Sequence, residues 1–413
     1  MRRTLPLALL LVASTAHAQD ARAPEISPER AQILDRIAST LKTSAYVPGI
    51  DLSRWDAIVA ESKDKLAAAK TDDDFAREVN ADLRKFGASH FRFMTPRQDE
   101  TRRTQRTVGL GVSGTPGREG MKISVVAPGS PADKAKLKPG DVLEKIDGEP
   151  VTRESLSGED GKTVRLLVKG QKERTIRFEP YSLRRPATLT RVDASTALFR
   201  LPTFSTGYSR DEVEKSIQEA TKYPSLIIDL RNNGGGAVAS MQHLMGLFMP
   251  SDATVGTFVN RSLVTAYTMG RKDAKPDPVA IANWSRYVKP WSARQITPAR
   301  REGGPLYRGN VVVLVNRGSA SASEIFASAM HDVIGADIVG MKSMGAVLVS
   351  IFRPVGGGFS LQYPMSDYVT VRDRRLEANP IVPVIEDPDA DAEVVKATYV
   401  LRRAQLRRDR FGS

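Results

Sequence analysis

Val311-Val312-Val313-Leu314-Val315-Asn316-Arg317-Gly318-Ser319-Ala320-Ser321-Ala322-Ser323-Glu324 runs from an unbroken apolar segment, through a short turn, into a serine-rich helix start. Five aliphatic residues bounded by Asn and Gly read as a strand buried on both faces. A strand that passes so quickly into a helix sets a side-chain hydroxyl beside the unpaired N–H groups of the first helical turn. Ser321 is then either a hydroxyl held against backbone donors or a simple helix cap. Ser321-Ala322-Ser323-Glu324 also fits the S-x-x-E capping box.

Working outward, Leu226-Ile227-Ile228-Asp229-Leu230 is a second buried strand. It runs into Arg231-Asn232-Asn233-Gly234-Gly235-Gly236, whose glycines let backbone N–H groups approach a ligand closely. Ala197 to Leu201 and Ile338 to Gly340 are further strand candidates, and helices are expected from Ser209, Ala237 and Ala322. This alternation predicts an α/β core over residues 188–413, ending in a basic helix from about Ala390 to Arg408. The polar, proline-containing stretch 251–308, with Trp284 and Trp291, is expected as a folded surface excursion or lid.

The first half of the chain has a different texture. Ser27-Pro28-Glu29-Arg30, Leu52-Ser53-Arg54-Trp55 and Asp72-Asp73-Asp74-Phe75 open three helices, predicting an all-helical N-terminal domain over residues 24–98. It ends where Gly87-Ala88-Ser89-His90-Phe91-Arg92-Phe93 turns into a strand. From 107 to 182 the pattern becomes short strands and turns. Gly109-Leu110-Gly111 and the run Pro139-Gly140-Asp141 to Ile146-Asp147-Gly148 resemble a PDZ domain. That resemblance implies that Gly109, Leu110 and Gly111 capture a peptide carboxylate while the peptide adds to a sheet edge.

Met1-Arg2-Arg3, the apolar Leu5 to Val12 and Ala16-His17-Ala18 have the parts of a secretory signal over residues 1–18, so export to a periplasm or beyond is expected. The chain has no cysteine, which excludes disulfides and thiol catalysis. The net charge of +13 is distributed in clusters such as Arg102-Arg103 and Arg372 to Arg375. These read as solvated faces, with weak contact to an anionic membrane surface as the functional alternative. No nucleic-acid motif is present, and the scattered histidines offer no metal-ligand spacing, so no cofactor is expected.

Asp-Leu-Arg-x-Asn-x-Gly-Gly, then Val-x-Val-Asn-x-x-Ser-Ala-Ser-Ala-Ser-Glu, after a PDZ-like segment, resembles the tail-specific (carboxyl-terminal processing) serine protease family. The resemblance implies Ser321 as nucleophile, with an oxyanion hole from the N–H groups of Gly235 and Ala322. One departure matters. The Ser-Lys branch carries Gly-Lys-Gly where this chain reads Gly345-Ala346-Val347, and Ala346 accepts no proton. A serine without a base is a poor nucleophile at neutral pH.

Three histidines remain outside the signal: His90, His243 and His331. His331 falls about nine residues along the helix from Ala322, roughly 13 Å away, out of reach. His243 sits among apolar residues in Met241-Gln242-His243-Leu244 and reads as packed. Ser89-His90, placed before the PDZ segment, resembles the lysine-less tricorn core protease, which implies His90 as base. Ser89 would orient it and Glu377, in Leu376-Glu377-Ala378-Asn379-Pro380, would support Ser89. Asp229 is the competing acid, though it more plausibly braces Arg231, and Lys342 is the alternative base. The expectation is an exported endopeptidase acting on polypeptides whose C-terminal tails the PDZ domain presents. A catalytically silent peptide- or apolar-ligand-binding protein is the alternative; the oligomeric state is not encoded in any motif.

Overall fold

The computed structural model describes residues 25–271, 276–386, 394 and 396–403. The signal expected over 1–18 and the two ends of the expected C-terminal helix lie outside the described residues. Strands Thr196–Arg200, Ser225–Asp229 and Asn310–Val315 run parallel, with Leu226 opposite both Ala197 and Val311. Asp337–Gly340 extends this sheet in parallel, Ile385–Glu386 forms one edge, and the antiparallel strand Thr188–Arg191 forms the other. Every residue of Ser225–Asp229 is buried. That is why it reads as a continuous apolar run.

Helices Arg210–Ala220, Val238–Gly246 and Ala322–Ile334 lay Ile217, Leu244 and Phe326 on one face of the sheet. Ala397 and Leu401 cover Ile227, Val312 and Leu314 on the other. The glycine motif and the serine motif thus follow two adjacent parallel strands at their carboxyl ends, where open α/β sheets place their ligands.

Helices Pro28–Thr43, Trp55–Ala68 and Asp72–Arg84 form the N-terminal region. Ser27 caps the first, and Thr71 with Asp74 makes a capping box on the third. This region is not packed on itself alone. Its strand Arg92–Met94 pairs antiparallel with Phe359–Thr370, and its buried Ile33, Ile37, Phe75 and Val79 share one core with Val355, Phe359, Leu361 and Tyr363. Phe93 stacks on Phe359 at 4.9 Å between ring centres. This shared core brings residue 90 beside residue 321.

Phe359–Thr370 belongs to a long hairpin with Val349–Gly356, turned by Gly356, Gly357 and Gly358, all at positive φ. The sequence reading did not register this hairpin. The region 251–308, expected as a folded surface excursion or lid, is joined to the core through its described residues. Strand Gly256–Asn260 pairs with Phe359–Thr370, and helices Arg261–Thr268 and Pro278–Tyr287 bury Leu263 and Ile281 against Val369.

The PDZ segment forms a sheet of Val112–Gly117, Gly120–Val126, Val142–Ile146, Thr163–Val168 and Arg174–Arg177, with the short strand Glu149–Pro150 beside it and a short helix at Pro131–Lys134. It enters and leaves through an antiparallel ribbon of Arg106–Gly109 with Glu179–Ser182. The chain is thus an α/β core with a helical N-terminal region and an inserted β-rich PDZ domain.

Candidate active site

Ser321 stands at the turn into helix Ala322–Ile334 with φ 57° and ψ −119°. A non-glycine residue there costs on the order of 1–3 kcal/mol and persists only where its surroundings over-determine it. The strain is typical of a nucleophile carried on a sharp strand-to-helix turn. Glu324 reaches back to the Ser321 N–H at 3.1 Å, the reciprocal half of a capping box. The Ser321 hydroxyl instead meets the His90 Nε2 at 3.1 Å.

A continuous chain of contacts leads away from that pair. The His90 Nδ1 lies 2.6 Å from the Ser89 hydroxyl, which donates to the Glu377 Oε2 at 2.9 Å. Glu377 also accepts the Ser89 N–H at 3.0 Å and the Val347 N–H at 2.8 Å. A carboxylate only accepts, so the Ser89 proton points to Glu377 and its oxygen is left to accept from the His90 Nδ1–H. This direction fixes the tautomer, leaving Nε2 as the acceptor that faces Ser321. Burial pushes His90 below its ordinary value, opposed by the nearby Glu377 charge.

The backbone donors differ from the expectation in one position. The Gly235 N–H donates to the Asn233 Oδ1 at 2.9 Å, so that donor is already taken up. Gly235 is needed for a different reason. At φ 91° a Cβ there would lie 2.8 Å from the Ser321 Cβ. Gly236 is exposed, and with Ala322 and Ser321 it lines a cavity of about 110 Å³. The N–H groups of Gly236 and Ala322 have no partner among the described residues. The sequence reading missed Gly236 because three successive glycines look alike until the Asn233 side chain selects one. Val238, Met241, Ile325 and Val349 give the cavity an apolar wall.

His243 is buried, with its Nε2 2.8 Å from Glu214 and its Nδ1 2.7 Å from the Tyr208 hydroxyl. His331 contacts the Ala336 carbonyl at 3.0 Å through Nδ1, at the far end of its helix. Asp229 braces Arg231 through a forked pair at 2.9 Å. Lys342 is exposed, and Ala346 gives its N–H to Glu324.

The Gly109-Leu110-Gly111 loop does not match the expected open carboxylate site. The Leu110 N–H donates to the chain's own Leu156 carbonyl at 2.9 Å, and Gly109 bridges to Ser157. A Cβ at Gly109 would lie 2.4 Å from the Leu156 oxygen, and one at Gly111 2.1 Å from the Ser130 Cβ. Both glycines are demanded by this internal packing. No group of His, Asp or Glu among the described residues has the arrangement of a metal site.

Comparison with known proteins agrees with this architecture. Residues 195–387 match peptidase family S41 and residues 122–175 match a PDZ domain. The tail-specific protease of Haemophilus influenzae is 30% identical over 307 residues, covering 68% of this chain and 40% of that protein. The carboxy-terminal processing protease CtpB of Bacillus subtilis is 26% identical over 306 residues, covering 68% and 56%. The chain spans about half the length of the curated relatives it matches. The photosystem II D1 C-terminal processing protease superposes with a TM-score of 0.51 at 19% identity, over 88% of this chain and 94% of that one, and shares the fold. The chain therefore carries a peptidase family S41 domain preceded by a PDZ domain, and it is a homologue of the tail-specific proteases.

Proposed function

We propose that the protein is a serine endopeptidase in which His90 replaces lysine as the base. The observation that carries this reading is the 3.1 Å contact between the His90 Nε2 and the Ser321 hydroxyl. Ser321 Oγ attacks the carbonyl carbon of a peptide bond and its proton passes to His90 Nε2. The oxyanion is held by the N–H groups of Ala322 and Gly236. His90 then gives the proton to the leaving amine, and water, deprotonated by the same nitrogen, releases the acyl group. Ser89 and Glu377 keep the imidazole in the required tautomer. The apolar cavity beside Ser321 receives an aliphatic side chain next to the scissile bond.

Polypeptides are the substrates, and the PDZ domain is their second contact. Val112–Gly117 is an edge strand to which a peptide can add. Capture of a tail carboxylate by Gly109, Leu110 and Gly111 requires the Leu156 carbonyl to move away first. Export rests on the signal-like residues 1–18, and N-terminal sequencing of the mature protein tests it. No helix among the described residues is long and apolar enough to cross a membrane.

The activity test is hydrolysis of β-casein followed on gels, with Ser321→Ala and His90→Ala as comparisons. Cleavage that both substitutions abolish supports the reading. Casein left intact by the wild type from pH 6 to pH 9 favours the silent binding protein.

A further inference from the structure

Glu324 is fully buried, yet no cation stands opposite it among the described residues. Its carboxylate is filled entirely by N–H and O–H donors. Oε2 accepts from the Ser321 N–H at 3.1 Å and the Ala346 N–H at 3.0 Å. Oε1 accepts from the Gly345 N–H at 2.8 Å and the Ser343 hydroxyl at 2.5 Å. Burial pushes the carboxyl above its ordinary range against the pull of these four donors. A group held at such cost in one geometry is a candidate for positioning rather than for general stability.

The loop it grips is tied on its other side to the base. Val347 gives its N–H to Glu377, the Ala378 N–H donates to the Gly345 carbonyl at 2.8 Å, and the Ile381 N–H donates to the Ser343 hydroxyl at 2.7 Å. The Ala346 carbonyl in turn accepts the Ser321 N–H at 2.8 Å. Residues 343–347 therefore form a cross-brace between two carboxylates. Glu324 serves the nucleophile's turn, and Glu377 serves Ser89 and His90. Ser321 occupies a backbone conformation it does not favour, so something must hold it there.

We propose that Glu324 is a positioning residue, locking the 343–346 loop to the turn that carries Ser321 and so fixing the hydroxyl at hydrogen-bonding distance from His90. It touches neither substrate nor the reacting atoms. The inference rests on the Ser321–His90 reading above. Glutamine keeps the size but turns an NH2 group toward backbone N–H donors, so it breaks the lock with little change in volume.

The experiment is kinetics on β-casein with active sites counted by a fluorophosphonate probe, for wild type, Glu324→Gln, Glu324→Asp and Ser343→Ala. A displacement of about 1 Å in a reacting group costs on the order of 100-fold in rate. Glu324→Gln is expected to lower kcat per labelled site by about that factor, with KM within about twofold. Glu324→Asp, which keeps the charge, is expected to recover part of it. Ser343→Ala, which removes one donor of four, is expected to lower kcat less than Glu324→Gln does and serves as the test if the glutamine variant does not fold. Wild-type kcat per labelled site in the folded variants overturns the proposal, because a purely structural residue changes how much enzyme is active and not how fast it turns over. A wild type that neither labels nor cleaves overturns the Ser321–His90 reading itself, and this proposal with it.

Discussion

Two histidines in this molecule each have a hydroxyl on one side and a carboxylate within reach, and they are arranged for opposite ends. His243 touches Glu214 directly through Nε2 and Tyr208 through Nδ1, so both nitrogens face its own protein interior. Glu214 is held in turn by Arg301. His90 stands one hydroxyl removed from its carboxylate, with Ser89 between, and its second nitrogen is left for Ser321 beside an open cavity. The lesson is that a His–hydroxyl–carboxylate cluster can serve as a base only when one nitrogen is kept as an acceptor facing outward. Closed on both sides, the same residues are a structural knot.

Substitution breaks this contrast most visibly at Ser321 and His90. His90→Ala and Ser321→Ala are each expected to reduce kcat/KM for casein by about 10⁴-fold or more, with no additional loss when combined. His243→Ala should act on a different axis. Leaving the Tyr208 hydroxyl and one oxygen of Glu214 without their ring is expected to cost on the order of 1–3 kcal/mol of unfolding free energy. Turnover per labelled site should stay near wild type, as denaturant titration and active-site counting would show.

Ser89→Ala removes the relay and is expected to lower kcat by about 100-fold while Ser321 still labels slowly. The pH profile sharpens the same point. Burial dominates and lowers His90, so the acid limb of kcat/KM should lie below the ordinary histidine value of 6.5. Activity is lost as pH falls through that limb, where the imidazole takes up its proton. The Glu377 charge raises His90, so Glu377→Gln should move the limb to still lower pH even as the plateau drops. Last, Lys342→Ala should change kcat/KM by less than about twofold, since Lys342 is exposed and the Ser321 hydroxyl meets His90 instead. A large loss there would shift the base to Lys342.

Much of the core was legible because it obeys period and punctuation. The runs at Leu226 to Leu230 and Val311 to Val315 are buried strands, and both end in turns whose glycines and serines announce a site. Ser321, His90, Ser89 and Glu377, assigned by resemblance, lie in one hydrogen-bonded chain although 231 residues separate the first pair. What sequence could not supply was long-range pairing. The strand Arg92–Met94 completes a sheet with Phe359–Thr370, and that pairing, with the core around it, explains why an N-terminal histidine reaches a C-terminal motif. The alternation Phe359, Leu361, Tyr363 after three glycines was a signal for the hairpin. The choice between Gly235 and Gly236 depends on where the Asn233 side chain turns, and closure of the Gly109–Gly111 loop depends on Leu156, 46 residues away. Neither leaves a trace in local pattern.

The most direct trial of the account is the rate at which a fluorophosphonate labels Ser321 between pH 5 and pH 8, in wild type and in folded His90→Ala. The wild-type rate should rise with pH along a single limb below 6.5, and the variant should lack that limb and label far more slowly throughout. Equal rates and the same pH dependence in both proteins would contradict the assignment of His90 as the group that takes the serine proton.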